Sequence, residues 1–271
     1  LSEDTAVARA VAEWREALGE SHVITDPGEL RRRGSITYGE VEIPAVVLPH
    51  TTTEVSLVLQ VASRHGVPVY PISTGKNWGY GSGAPIANGQ VVIDLGRMDR
   101  IRAFDEDLGT ITVEPGVSFR MVEDFLEARG SRHFIAAPGT TPDASLIGNL
   151  MERGWGFGPH SARFEHMCAF EVVLADGTVI DTGNARFPGS RSAELFRWGV
   201  GPWVDGLFTQ SNLGVVTRMT MFLALLPDQW ASFVYKVEGE AKLPALLDVL
   251  RELRMKQILR TNFKLQNFYR V

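Results

Sequence analysis

Cysteine is almost missing from this chain. One residue in 271, Cys168, rules out both a disulfide framework and a thiolate-rich metal site. The six histidines show no ligand spacing and no H-E-x-x-H occurs, so no metal is expected. Basic excess is also lacking. The net charge is -5 and the isoelectric point about 5.7, which leaves no electrostatic footprint for nucleic acid. There is no long hydrophobic run: Met221 to Leu226 is far too short to span a bilayer. The first twenty residues, LSEDTAVARAVAEWREALGE, have neither a basic start nor the apolar centre of a leader peptide. The expectation is a soluble protein with no membrane partner, cytoplasmic, or periplasmic where a leader has been removed. No N-x-S/T acceptor for glycosylation occurs either.

Glycine is plentiful where other signals are scarce. Residues 71–83 read PISTGKNWGYGSG, four glycines among a Lys, an Asn, a Trp and a Tyr. The stretch leaves directly from a strand–helix–strand unit. Ala45 to Leu48 reads as a strand, and Thr51 with Glu54 forms a capping box. Val55, Val58, Leu59 and Ala62 recur at helical spacing, Gly66 stops the helix, and Val67 to Ile72 is a second strand. A third strand is QVVIDLG at 90–96.

A second unit follows. GTITVEPG at 109–116 is a strand, and Ser118 to Arg129 a helix with Phe119, Val122, Phe125 and Leu126 inward. Cys168 to Leu174 and Thr178 to Thr182 are strands joined through Asp176-Gly177, a hairpin signal. VVTRMTMFLALLP closes the unit, and Pro227-Asp228 breaks it. PALLDVLRELR at 244–254 is a further amphipathic helix. Mixed order with hairpins argues an α+β fold and not a doubly wound sheet.

Several chemistries fail. There is no G-x-G-x-x-G, so the nicotinamide-type fingerprint is missing. Thr74-Gly75-Lys76 resembles the end of a Walker A loop, but Tyr70 stands where its first glycine belongs. Ser73 to Lys76 matches S-x-x-K, yet Pro71, Gly75 and Gly79 forbid the helix start that motif needs. What remains is a loop whose successive backbone N–H groups can wrap phosphate oxygens. PGTTPDASLIGNLMERGWGFG at 138–158 offers similar features, with a short helix start near Ser145. Two such stretches in one domain suit a pyrophosphate-bearing cofactor.

These residues carry a resemblance. PISTGKNWGYGSGAP resembles the pyrophosphate loop of the vanillyl-alcohol oxidase and p-cresol methylhydroxylase family of flavoproteins. IGNLMERGWGFGPHSARFEHMCAFEVVLADGTVIDTG and FRWGVGPWVDGLFTQSNLGVVTRMTMFLALLP resemble its second and third cofactor stretches, in the same order. The resemblance implies a PCMH-type FAD-binding domain over 1–227, with two α+β subdomains of about 1–103 and 104–227. It also implies that 228–271 begins a substrate (cap) domain continuing beyond Val271.

It further implies FAD held by Pro71, Ser73, Thr74, Gly75, Lys76, Asn77, Gly79 and Gly81, by Gly139, Thr140, Thr141 and Ser145, by Gly148, Asn149 and Gly154, and by the backbone of Gly214 and Val215. Tyr80 would bind a phenolate oxygen, His160 would act as base or substrate donor, and Asp143 would stand near flavin N5. The tyrosine and arginine that accompany Tyr80 in this family, and the usual attachment residues for covalent flavin, would lie outside this chain.

There are departures from the family pattern. His160 stands where phenol-oxidising relatives carry Tyr, and Asn77 where other branches carry a flavin-linking His. Thr141 lies near the place of a linking Cys, while Cys168 reads as a buried small hydrophobe. The reaction expected is hydride transfer from a para-substituted phenol or benzylic alcohol to flavin N5. The alternatives are oxidation of other alcohols, hydroxy acids or aromatic natural products, and a non-catalytic flavin-binding relic. Expected partners are a small aromatic substrate, oxygen or a cytochrome as electron acceptor, and a second copy in a homodimer.

Overall fold

The computed structural model describes residues 3–37, 39–76, 83–156, 158, 160–229, 231, 234–259 and 263–266. Helix α1 (Glu3–Leu18) leads to strand β1 (Val23–Ile24) and helix α2 (Pro27–Gly34). A two-residue hairpin, β2 (Ser35–Ile36) and β3 (Gly39–Glu40), precedes β4 (Val46–Val47), helix α3 (Thr52–His65), β5 (Val69–Ile72) and β6 (Val91–Asp94). Strands β4, β6 and β5 are parallel, and β1 joins the edge antiparallel, giving the order β1-β4-β6-β5. Residues 95–100 cross to a second sheet.

That sheet is antiparallel. It contains β7 (Ile101–Asp105) and β8 (Thr110–Val113), then helix α4 (Phe119–Glu127), β9 (His133–Phe134) and helix α5 (Leu146–Met151) intervene. Strands β10 (Met167–Val173), β11 (Val179–Asp181) and β12 (Val215–Phe222) complete it in the order β11-β10-β12-β8-β7. Strand β13 (Ala224–Leu225) pairs with β9, and helix α6 (Leu243–Met255) follows with no buried residue. One mixed sheet and one antiparallel sheet, each with its own helices, make the α+β architecture expected from the sequence.

Local chemistry explains the element ends. Thr51 Oγ1 accepts from the Glu54 N–H at 3.1 Å, while the Glu54 carboxylate accepts from the N–H of His50 at 2.6 Å, one residue upstream of the usual capping-box partner. At the other end Gly66 adopts φ 66° and Val67 N–H donates to Ala62 O, a Schellman closure. Ser118 caps α4 by accepting from Met121 N–H. The Asp176-Gly177 turn is a three-residue loop, with Leu174 N–H donating to Thr178 O and Gly177 at φ 84°.

Each sheet has a core. Ile111, Val113, Phe119, Val122, Leu146, Leu150, Met219 and Met221 fill one; Trp14, Val47, Val55, Val58, Val91 and Ile93 belong to the other. Val173 and Val215, though on the antiparallel sheet, pack into the core of the mixed sheet and so join the two. Helix α3 divides its faces accordingly. Its apolar stripe enters the core, while Thr52 donates to Glu171 and Ser56 to Gly177 O, at 2.7 and 2.6 Å. The Glu171 carboxylate also accepts from Thr217 Oγ1, so one carboxyl ties α3, β10 and β12.

Trp14 is completely buried, and its indole N–H donates to Val58 O at 3.2 Å. Removing it empties the α1–α3 interface and loses that cross-helix hydrogen bond. Trp14→Ala is expected to cost about 3–5 kcal/mol, read as a lowered urea midpoint. A midpoint unchanged from wild type would show that α1 contributes nothing to the fold.

Candidate cofactor site

The glycine stretch emerges from the carboxyl end of β5, where Pro71 pairs with Ile93 and its ring is exposed. Beyond Ile72 the ladder ends. Among the described residues, the backbone N–H groups of Thr74, Gly75 and Lys76 donate to no other backbone carbonyl outside the ladders. Backbone amides not spent on other backbone groups are what a nest for anionic oxygens requires. Gly75 sits at φ 64°, a conformation that a β-carbon penalises, and a Cβ there would lie 3.4 Å from Gly83 Cα.

The second stretch is brought against it. Thr74 Oγ1 accepts from the Ser145 N–H at 3.0 Å, and Thr140 Oγ1 donates to Lys76 O at 3.2 Å. Gly148 faces Ser73 so closely that an added Cβ would lie 3.1 Å from Ser73 Oγ. Helix α5 has only six residues, and its leading donors are spent within the protein: Leu146 N–H on Val117 O and Gly148 N–H on Ser145 Oγ. The short helix therefore supplies packing and a wall more than an anion hole. The glycine loop is left as the candidate for anion binding.

The remaining expected residues are placed as follows. Gly139 borders open space, with nothing within 4 Å of an added Cβ. Thr141 accepts from the Asp143 N–H at 3.2 Å and donates to its carboxylate. Asn149 accepts from Arg163 at 2.9 Å, and Gly154 packs on the Asn149 amide. Gly214 abuts Val172 and Phe208, and Val215 opens β12. Asn77, Gly79, Tyr80 and Gly81 lie outside the described residues. The third stretch reaches the second at the end of α5, where Gln210 N–H donates to Met151 O and Arg153 to Thr209 Oγ1. Its fully buried Asp205 accepts from Thr182 Oγ1, and burial raises that carboxyl.

Asp143 is an exposed carboxylate paired with Arg120 at 2.8 Å. That hydrogen bond holds its pKa below the usual carboxylate range, so it is an anion at neutral pH. His160 adopts φ 57° and stacks on His166, rings 3.7 Å apart and 16° from parallel. Burial lowers His160 against a backbone hydrogen bond at Phe222 that raises it, and burial brings His166 to about 4, with His160 and Arg197 adding to it. Both rings are thus neutral at pH 7. His166 was not singled out in the sequence; no spacing rule links it to His160, whose left-handed backbone folds the chain back.

Cys168 is buried with its thiol pushed up to about 12 by burial, an inert small hydrophobe as its strand position implied. Among the described residues no cluster of His, Cys, Asp and Glu could hold a metal ion, and no helix is long and apolar enough to cross a membrane.

Arg163 was also missed. It is fully buried, which lowers its pKa to about 10, and it donates to Ala136 O, Ala137 O and Asn149 Oδ1. Nothing in the sequence marks an arginine between Ala162 and Phe164 as interior; only the tertiary carbonyls that receive it do.

Comparison with known proteins gives the family. Residues 43–183 match the family described as FAD binding domain. The chain is 44% identical over 264 residues to a 1'-carboxy-chondrochloren decarboxylase of Chondromyces crocatus, covering 97% of this chain and 49% of that protein. It is 35% identical over 260 residues to the 4-cresol dehydrogenase [hydroxylating] flavoprotein subunit of Pseudomonas putida, covering 93% and 49%. A crystal structure of p-cresol methylhydroxylase with substrate bound superposes with a TM-score of 0.87 at 33% identity, covering 95% of this chain and 51% of that one. The chain spans about half the length of these relatives. It belongs to the FAD-binding domain family, of the vanillyl-alcohol oxidase and p-cresol methylhydroxylase type, and FAD is its cofactor.

Two outcomes follow from the site. Gly75→Val is expected to lower the flavin-to-protein ratio at least about tenfold, since strain and lost approach add. Lys76→Ala should lower it only about two- to threefold, because an exposed ammonium adds little to a clamp of amides. An apo Lys76→Ala beside a flavin-loaded Gly75→Val would mean that side-chain charge holds the cofactor. The second outcome concerns pH. Because the folded pKa of His166 is depressed, its contribution to stability is present above about 6.5 and is lost as pH falls toward about 4. After allowance for solvent screening this amounts to about 1–2 kcal/mol. Denaturation at pH 7 and pH 4.5 should show a smaller loss for His166→Phe than for wild type.

Proposed function

We propose that the protein is an FAD-linked oxidoreductase that removes a hydride from the benzylic carbon of a para-substituted phenol, or from a benzylic alcohol. The observation that supports it most is the apposition of Ser73 and Thr74 with Gly148 and Ser145, in a chain 35% identical to a 4-cresol dehydrogenase flavoprotein subunit. When bound, oxidised FAD supplies the hydride acceptor, N5 of its ring system. The residues of the chain bind, orient and place charge around it. Tyr80, on this reading, donates to the phenolate oxygen and stabilises the ionised phenol. A neutral His160 can take a proton at pH 7. Asp143, anionic beside Arg120, serves as acceptor and not as proton donor. Electrons leave to oxygen or to a cytochrome; the Pseudomonas relative is named as a flavoprotein subunit.

A second reading is favoured by the relative at 44% identity, a decarboxylase. In it the same site releases CO2 from a carboxylated aromatic natural product. His160, where phenol-oxidising relatives carry tyrosine, accords with a substrate that is not a simple phenol.

The two readings part on product. Purified protein is incubated with 4-alkylphenols, benzylic alcohols and carboxylated phenolics, and oxidised product and CO2 are quantified with oxygen or a dye as acceptor. Oxidised product without CO2, and a fall in kcat/KM of about tenfold or more in Tyr80→Phe, is the expected result. CO2 release alone would move the assignment to the decarboxylase reading. No turnover of any substrate by flavin-loaded protein would leave a flavin-binding relic.

A further inference from the structure

The buried guanidinium of Arg163 has no role in the reading above, and its environment is unusual. It is fully buried, yet no carboxylate bridges it among the described residues. Nη2 donates to Ala136 O at 2.6 Å and Ala137 O at 2.9 Å, Nη1 donates to Asn149 Oδ1 at 2.9 Å, and the Phe119 ring lies 4.6 Å from Cζ. Burying an unpaired charge costs several kcal/mol unless hydrogen bonds offset it. Here the offset comes from neutral oxygens, one of them an amide side chain beside the glycine that meets the phosphate loop.

The chemistry of that pair is one-directional. A guanidinium only donates, so Asn149 must turn its oxygen to Arg163, and the sense of the amide is fixed by chemistry. What Asn149 then has left for a ligand is Nδ2, a donor. Gly154 lies flat over the amide: a Cβ there would fall 2.5 Å from Nδ2 and 2.6 Å from Oδ1, so the plane as well as the sense is set. Asn149 itself is half-buried, and it follows Gly148, which rests on Ser73.

We propose that Arg163 is a positioning residue for the cofactor: by taking Asn149 Oδ1 it commits Asn149 to offering an N–H to a carbonyl oxygen or ring nitrogen of bound FAD. The inference rests on the FAD reading of the site. It separates from a merely structural arginine because it assigns a direction to one hydrogen bond. In Asn149→Asp the new carboxylate still accepts from Arg163 and now neutralises it. The fold is kept, while the end turned to the ligand becomes an acceptor facing an acceptor.

The test titrates FAD into deflavinated wild-type protein and variants, followed by flavin fluorescence, with Tm measured alongside. Asn149→Asp is expected to hold or raise Tm and to weaken FAD binding about tenfold or more, the worth of one hydrogen bond to such a group. Arg163→Lys, which keeps a donor for Oδ1, should stay within about threefold of wild type, while Arg163→Met should lose about tenfold. Asn149→Asp binding FAD as tightly as wild type overturns the proposal, as do Lys and Met variants at 163 that behave alike. If Asn149→Asp does not fold, the Lys and Met pair decides. Wild-type protein that takes up no FAD would instead sink the cofactor reading itself.

Discussion

The site depends on how closely two segments from different sheets can approach. Ser73 to Lys76 leaves the mixed sheet, and Ser145 to Asn149 belongs to the antiparallel one. They touch because Gly148 has no side chain and because Thr74 Oγ1 receives the Ser145 N–H. A methyl group at 148 would press on Ser73 from 3.1 Å, and Ser73 would have to give by a few tenths of an ångström. The contact is held from behind by packing: Val173 and Val215 lie in the other unit's core, and Glu171 binds Thr52 and Thr217 together. Loops that must position a large anionic ligand are thus hung on rigid elements, the arrangement that makes preorganised binding cheap.

Fixed charge is used sparingly there. Lys76 is exposed, Asp143 is already paired with Arg120, and the stacked histidines are neutral at pH 7. Among the described residues the buried guanidinium of Arg163 gives both terminal nitrogens to protein oxygens, and its Nε has no partner. A pyrophosphate met mainly by amides gains directional hydrogen bonds with little loss of side-chain entropy. Such a site is also less sensitive to salt than one built from surface lysines.

Much of this was legible in the sequence, because the relevant signals are local. Thr51, Glu54 and Gly66 bound α3 through hydrogen bonds within one turn. Helix α2 was legible too and passed over: Asp26 accepts from Glu29 N–H, with Pro27 at the first helical position. Strand β7 was not, since Ile101–Asp105 alternates only weakly and is a strand because β8 pairs with it. Nor could the six-residue length of α5 be read, or the spending of its donors on Val117 and Ser145. Arg163 and the His160–His166 stack lie furthest from any local rule. A lone arginine or histidine reads as surface until distant carbonyls and a folded-back chain enclose it.

That enclosure bears on which residue can move a proton. A carboxylate held below its usual range by a guanidinium gives up its ion pair when it protonates, which disfavours Asp143 as an acid. A thiol pushed up to about 12 has no thiolate to offer, which disfavours Cys168 as nucleophile or flavin ligand. His166 would need to charge against burial, a neighbouring ring and Arg197 together. His160 faces the weaker opposition: burial lowers it, a backbone hydrogen bond at Phe222 raises it, and its Nδ1 is buried without a partner among the described residues. With the ring N–H engaged at Phe222, that nitrogen of the neutral ring is an acceptor. Of the groups described near the cofactor stretches, it is the one whose protonation can answer to a ligand rather than to the fold.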